Sequence, residues 1–276
     1  MHTQAQRGDA FRALHQREGL LILPNPWDAG SAKMLAALGF EALATTSAGL
    51  AFSLGRPDAE GAVSREESLA NARAIVEATP LPVAADLENG YGDEPEQCAA
   101  TLILAAKAGL VGGSIEDASG QADAPIYPFE QAVERIQAAV AAARSLPFAF
   151  TLAARAENYL HGRADLDDTI KRLVAYAEAG ADVLYAPGLT TREEIQAVVA
   201  AVAPRPVNVL VGSPALRLTL TELAELGVRR VSLGSSLARV AYGAFFEAAQ
   251  ALAGHGRTDE VEQAMPFPRV NALFKQ

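Results

Sequence analysis

Pro82-Val83-Ala84-Ala85-Asp86-Leu87-Glu88-Asn89-Gly90-Tyr91-Gly92 opens a unit that recurs along the chain. The apolar run Pro82–Asp86 predicts a strand, a helical stretch starts near Pro95 and closes at Gly109, and a second apolar run, Gly113–Glu116, follows. Working outward, the same alternation gives six more runs. They are Leu20–Leu23, Ala42–Thr46, Ala149–Ala153, Asp182–Tyr185, Val207–Val211 and Arg230–Leu233. Helical candidates start near Gly30, Arg65, Pro95, Glu130, Asp167, Arg192, Ala215 and Ser236. A leading helix, Ala5–Arg17, precedes the first run, with Phe11 and Leu14 on one side.

The helical segments have local support. Val133, Ile136 and Val140 fall at steps of three and four, one helical face. Gly39, Gly109, Gly180 and Gly227 stand where a left-handed cap ends a helix. Ser64 with Glu67, and Thr191 with Glu194, have capping-box spacing. Strands apolar on both faces that alternate with helices imply a parallel sheet covered by helices. Eight such units in 276 residues predict an α/β fold, a (β/α)8 TIM-type barrel. We expect one barrel domain over residues 1–276, with 242–276 as a C-terminal helical extension. An open doubly wound sheet is the competing architecture. Its glycine-rich first turn is not matched by Pro24-Asn25-Pro26-Trp27-Asp28-Ala29-Gly30.

Composition narrows the function. With 23 Lys plus Arg against 33 Asp plus Glu, the net charge of −10 argues against a nucleic-acid partner. No uncharged stretch is long enough to span a membrane, the first twenty residues lack an apolar signal region, and Cys98 is the lone cysteine. A cytoplasmic location is expected.

In a barrel, polar residues at the carboxyl ends of strands converge on one site. In order these are Ser47, Asp86 and Glu88, Glu116 and Asp117, Arg155, Asn208 and Ser235. Asp86 and Glu88 are two apart and face the same way on extended backbone. Clustered carboxylates repel unless a cation or protons intervene, and oxygen-only ligands suit Mg²⁺ or Mn²⁺. The plainer alternative is that one or two of these acids cap the following helices. Asp117 is expected to make loop hydrogen bonds. Arg155 reads as a carboxylate clamp or a partner for a neighbouring acid. Asn208 could orient a substrate carboxylate or simply fill a barrel layer. Cys98 reads as a small buried residue. Two long connections, Gly49–Val63 and Asp117–Phe129, lie on the same face of such a barrel as lids or as loose insertions.

Asp86-Leu87-Glu88-Asn89-Gly90-Tyr91-Gly92 resembles the Asp-x-Asp-x-Gly-Tyr-Gly segment of the isocitrate lyase / phosphoenolpyruvate mutase superfamily. Ser47-Ala48-Gly49, Asp58, Ile115-Glu116-Asp117 and Ala154-Arg155 follow in the family's order, and the resemblance spans roughly Pro24 to Ala241. It implies Mg²⁺ held by Asp86, Glu88 and Glu116. It implies substrate contacts at Ser47, Ala48, Gly49, Asp86, Arg155 and Asn208, with Arg155, Glu116 and Asp58 in the chemistry. It also implies a homotetramer, a dimer of dimers in which a C-terminal helix is swapped; the apolar tail Phe267–Phe274 suits that exchange.

The departures are specific. The lyases of this family carry Lys-x-Cys-Gly-His on the lid after strand four, and its cysteine supplies a proton. Here the stretch is Ser119-Gly120-Gln121-Ala122-Asp123-Ala124-Pro125. The Lys and Asn that phosphonate-handling members use on this lid are absent too. Thr45 stands where an aromatic often precedes the serine turn, and Glu88 replaces Asp. The resulting expectation is a Mg²⁺-dependent carbon–carbon lyase or decarboxylase for a small 2-oxo or 2-hydroxy dicarboxylic acid, working through a metal-stabilised enolate. Tyr127, on the lid, is the candidate proton donor. Asp58 motivates a phosphonopyruvate or phosphoenolpyruvate enzyme as the alternative, and the bare lid a 2-oxo acid binder with little catalysis.

Overall fold

A computed structural model describes residues 2–58 and 61–275. The eight strands are β1 (Leu21–Leu23), β2 (Leu43–Ala44), β3 (Val83–Asp86), β4 (Gly112–Glu116), β5 (Thr151–Arg155), β6 (Val183–Tyr185), β7 (Val207–Leu210) and β8 (Arg230–Ser232). All pair in parallel, in the order β1-β8-β7-β6-β5-β4-β3-β2. Ala44 N donates to Pro24 O at 3.1 Å just past the end of β1, which nearly closes the ring. The fold is the (β/α)8 barrel that the alternation predicts.

The helices between strands are α2 (Ala29–Ala37), then α3 (Ser47–Ser53) and α4 (Arg65–Ala78), α5 (Pro95–Lys107), α6 (Phe129–Arg144), α7 (Leu166–Ala179), α8 (Arg192–Val202) and α9 (Leu220–Glu225). They follow α1 (Gln4–Gln16). Both predicted capping boxes are present, at Ser64 and at Thr191. Gly39, Gly109, Gly180 and Gly227 all have positive φ, a conformation that L side chains resist. On α6 the fully buried stripe is Ala132, Ile136, Ala139 and Ala143, with Val133 and Val140 packed at its edge.

Three expectations need correction. The fifth strand runs two residues further than Ala149–Ala153, so Arg155 is its last residue and pairs with Glu116. The segment Gly49–Val63 is not all loop. Thr46 Oγ1 accepts from Gly49 N at 3.2 Å and starts α3; Ala59 and Glu60 of that segment lie outside the described residues. The helix placed near Ala215 begins at Leu220, because Thr219 and Glu222 form the capping box there.

α1 closes the amino-terminal end of the barrel. Phe11 is fully buried, and a Cβ on Gly112 would stand only 2.7 Å from its ring. After β8, α10 (Ser236–His255) runs away from the barrel and leaves Val240, Phe245 and Phe246 about two-thirds exposed. α11 (Asp259–Glu262) follows, and α12 (Phe267–Phe274) returns to α2, where Lys33 Nζ donates to Phe274 O at 3.4 Å. No helix among the described residues is long and apolar enough to cross a membrane.

Candidate active site

The carboxyl ends of β3, β4 and β5 meet at one side chain. Arg155 Nη1 lies 3.0 Å from Asp86 Oδ1 and 3.1 Å from Glu116 Oε2, and its Nε donates to Glu157 Oε1 at 2.8 Å. The guanidinium carbon also stands 5.0 Å from the centre of the Tyr185 ring. Asp86 is fixed from the other side as well. Ser47 Oγ donates to its Oδ2 at 2.9 Å, Ser47 N at 3.3 Å, and Asp86 N donates to Thr45 Oγ1 at 3.1 Å. The chain then turns through Glu88 and Tyr91, both at positive φ without being glycine. Such strain is held only where the surroundings over-determine the backbone. Here Glu88 N donates to Asp86 Oδ1, and Glu116 N to Glu88 O.

The local charge is lopsided. Burial pushes the Glu116 carboxyl well above its ordinary range; Arg155 opposes this, while Glu157, Asp86 and Glu88 add to it. Burial likewise raises Glu157 to about 7, against the pull of Arg155. One guanidinium therefore serves several carboxyl groups, too little positive charge for all of them to ionise together.

Ser47, Ala48, Asp58, Asp86 and Arg155 line one cavity of about 180 Å³, which continues into the barrel past Tyr185. Glu88 and Glu116 line a neighbouring cavity of about 480 Å³, beneath Ser119 and Gly120 of the second lid. Gly49 is turned away: it is buried inside α3, where a Cβ would lie 3.0 Å from Trp27 Cβ. Asn208 is not in the lining either. Its Nδ2 donates to Ser232 Oγ at 2.9 Å and its Oδ1 accepts from Arg230 Nε at 2.8 Å, so its amide fills a barrel layer.

Among the described residues, no three His, Cys, Asp or Glu side chains stand close enough together to hold a metal ion. Asp86, Glu88 and Glu116 are adjacent but divided over the two cavities, and the Arg155 guanidinium stands between Asp86 and Glu116. The donor chemistry nevertheless fits a hard dication: all three side chains carry carboxylate oxygens, and burial, with the neighbouring carboxylates adding to it, raises Glu116.

The second lid is ordered. Ala118 bridges Ile126, and Tyr127 is buried. The Tyr127 hydroxyl donates to Asp93 Oδ1 at 2.6 Å and accepts from Asn89 Nδ2 at 3.1 Å, with Arg135 stacked on its ring. It lines neither cavity and its hydroxyl is given to Asp93, so the expectation that it is the proton donor is corrected. Asp117 makes the hydrogen bonds expected of it. It accepts from Glu157 N, Arg172 Nη1 and the Tyr176 hydroxyl, and thereby ties the base of the lid to α7. Cys98 is buried, as expected.

Four residues escaped the sequence reading: Glu157, Tyr185, Ser232 and Arg230. Glu157 was legible, since it lies two after Arg155 and alternation puts both on one side. The others sit inside strand runs, where nothing local marks an inward polar side chain.

Residues 11–253 match the family described as phosphoenolpyruvate phosphomutase. A solved structure of a candidate lyase/mutase from Burkholderia cenocepacia J2315 is 58% identical, covers 99% of this chain and 97% of its own, and superposes with a TM-score of 0.96. Oxaloacetate acetylhydrolase, solved with the product oxalate, is 28% identical, with 99% and 95% covered and a TM-score of 0.88. The 2,3-dimethylmalate lyase of Eubacterium barkeri is 32% identical over 205 residues, 72% of this chain and 68% of that protein.

Proposed function

The chain belongs to the phosphoenolpyruvate phosphomutase family, and from that premise we propose that it is a Mg²⁺-dependent carbon–carbon lyase or decarboxylase acting on a small 2-oxo or 2-hydroxy dicarboxylic acid. One observation carries the reading. Arg155 is locked at Nε by Glu157 while Nη1 faces Asp86 and Glu116 at a polar cavity. Two of the relatives are named for dicarboxylic acids, oxaloacetate and 2,3-dimethylmalate.

Ser47, through its hydroxyl and backbone N–H, and Arg155 bind and orient a substrate carboxylate. In a 2-oxo acid, breaking the C3–C4 bond releases carbon dioxide and leaves its electron pair as the enolate of C2 and C3. In a 2-hydroxy acid, the C2 hydroxyl gives its proton to a carboxylate of the site, C2 becomes a carbonyl, and the C2–C3 electron pair becomes the enolate of the other fragment. In both, Arg155 is preorganised to hold the developing oxygen charge. Glu157 and the Tyr185 ring keep the guanidinium from following the substrate. The proton that quenches the enolate comes from water, because the lid residues Ser119–Pro125 include no Cys, His or Lys and Tyr127 donates to Asp93. Asp86, Glu88 and Glu116 would hold Mg²⁺, or Mn²⁺, which when bound supplies Lewis-acid polarisation of the substrate oxygens. Assays with oxaloacetate, isocitrate, methylisocitrate and citramalate-like acids, with Mg²⁺ and with chelator, test this by mass spectrometry of products. Turnover of none of them contradicts it.

Asp58 lines the same cavity, which supports a second reading: cleavage or formation of a phosphorus–carbon bond on phosphonopyruvate or phosphoenolpyruvate. Phosphorus NMR showing unchanged phosphonopyruvate would remove it. The exposed apolar side chains of α10 support a homotetramer in which this part of the chain is exchanged between subunits. Light scattering that gives a monomer mass would refute the assembly and leave the chemistry standing.

A further inference from the structure

Arg230 starts β8 with its side chain inside the barrel, and only 6% of the residue is exposed. Its Nε donates to Asn208 Oδ1 at 2.8 Å. Its Nη1 stands 3.4 Å from Nε2 of His15, whose Nδ1 is 2.8 Å from Phe11 O. With Nδ1–H given to that carbonyl, Nε2 is an acceptor, and burial lowers His15 to about 3, so the imidazole is neutral. Among the described residues no carboxylate lies within ion-pair distance of Arg230. Burial, uncompensated by any acid, pulls its guanidinium down to about 10. Buried charges are as a rule paired, because an isolated one costs several kcal/mol in desolvation.

The space beside Arg230 is open. It lines the inner end of the 180 Å³ cavity whose mouth is formed by Ser47, Asp86 and Arg155. The opposite wall includes Ala44 and Ala84, whose small side chains leave room that larger inward residues would fill. Tyr185 and Ser232 add hydroxyl groups to the same wall as Arg230. We propose that Arg230 anchors a monovalent-anion subsite inside the barrel, and that its occupant is the second carboxylate of the dicarboxylic acid whose first carboxylate meets Ser47 and Arg155. This rests on the functional reading above for the identity of the occupant. The unpaired buried guanidinium opening on a cavity carries the subsite itself. A free inorganic anion would satisfy the same chemistry, and the experiment separates the two sources.

The test has two arms. In the first, calorimetry with Mg²⁺ measures oxalate, malonate and succinate on the full chain and on Arg230→Gln, with the fold of the variant checked by its thermal transition. Oxalate is too short to reach inward, so its affinity changes less than about twofold, whereas succinate weakens about tenfold or more, as expected for loss of a charge-assisted hydrogen bond. Arg230→Lys keeps the charge and restores part of the loss; it also serves if the Gln variant does not fold. In the second arm, crystals of the unaltered protein are soaked in bromide, and anomalous scattering locates the ion. A bromide at Arg230 that succinate displaces supports the proposal. A bromide that remains with succinate bound, together with equal losses for all three acids, overturns the carboxylate and assigns the subsite to an inorganic anion. No bromide at Arg230 and no dependence on chain length overturn the subsite altogether. If the unaltered protein binds none of the acids, the functional reading has failed, and the bromide arm still decides whether the anion subsite exists.

Discussion

Two buried arginines face one cavity from opposite ends, and their surroundings are opposite. Arg155, at the mouth, has Asp86, Glu116 and Glu157 within 3.1 Å. Arg230, at the inner end, has an amide and a neutral imidazole. The same side chain is over-supplied with acid in one place and given none in the other. The mouth is therefore rich in acid for its positive charge, and the inner end has positive charge without acid. A third buried arginine, Arg172, shows the balanced case. It pairs with Asp117 at 3.1 Å and Asp168 at 2.7 Å, lines neither cavity, and holds the lid base to α7.

The sharpest way to break this contrast is at the mouth. Arg155→Ala should lower kcat/KM on the order of 100- to 1000-fold, the effect of removing a preorganised charge donor. Arg155→Lys should recover little, because a point charge cannot bridge Glu157 and the substrate together. Steady-state kinetics on whichever acid is turned over checks both, and near-normal kcat/KM in Arg155→Ala would misplace the site.

The balanced arginine should respond in stability. Asp117→Ala leaves Arg172 and Tyr176 without their shared acceptor and should cost about 3 kcal/mol in urea unfolding. A cost below about 1 kcal/mol would mean that the lid base is not held there.

The inner end should show itself through pH. His15 titrates at about 3 when folded, against 6.5 ordinarily, with burial as the main cause and Arg230 second. Between those values the unfolded chain takes up a proton that the folded chain refuses, so stability falls as pH drops through this window. His15→Gln should remove that part of the slope and leave the neutral-pH side unchanged. An identical acid limb in both proteins would show that His15 is not buried against Arg230. The smallest effect, away from all three arginines, is Ser64→Ala. Loss of its cap should cost about 1 kcal/mol in thermal or urea unfolding with no change in anion binding.

The barrel was legible because its signals are local. Apolar runs mark the strands, and Thr191 with Glu194, or Gly180 at its turn, act within a few residues. Much of the mouth was legible as well, because Ser47, Asp86, Glu116 and Arg155 sit at strand ends, where a barrel gathers polar groups. The inner end was not. Arg230 reads as an ordinary strand boundary until closure brings α1 and His15 beneath it, and Asn208 reads as a ligand until Arg230 is seen on its amide. Tyr127 fails in the same way: nothing near it in the chain shows that Asp93, 34 residues earlier, takes its hydroxyl. Register and ring closure decide these contacts, and neither is written in local pattern.

The account rests on Arg155 and a dication jointly gripping a small organic anion at the barrel mouth. Titrating the unaltered protein with oxalate by calorimetry, once in Mg²⁺ and once in chelator, tests that most directly. The account predicts binding in Mg²⁺ that weakens about tenfold or more when the ion is removed. Equal affinity in both solutions, or no binding in either, would contradict it.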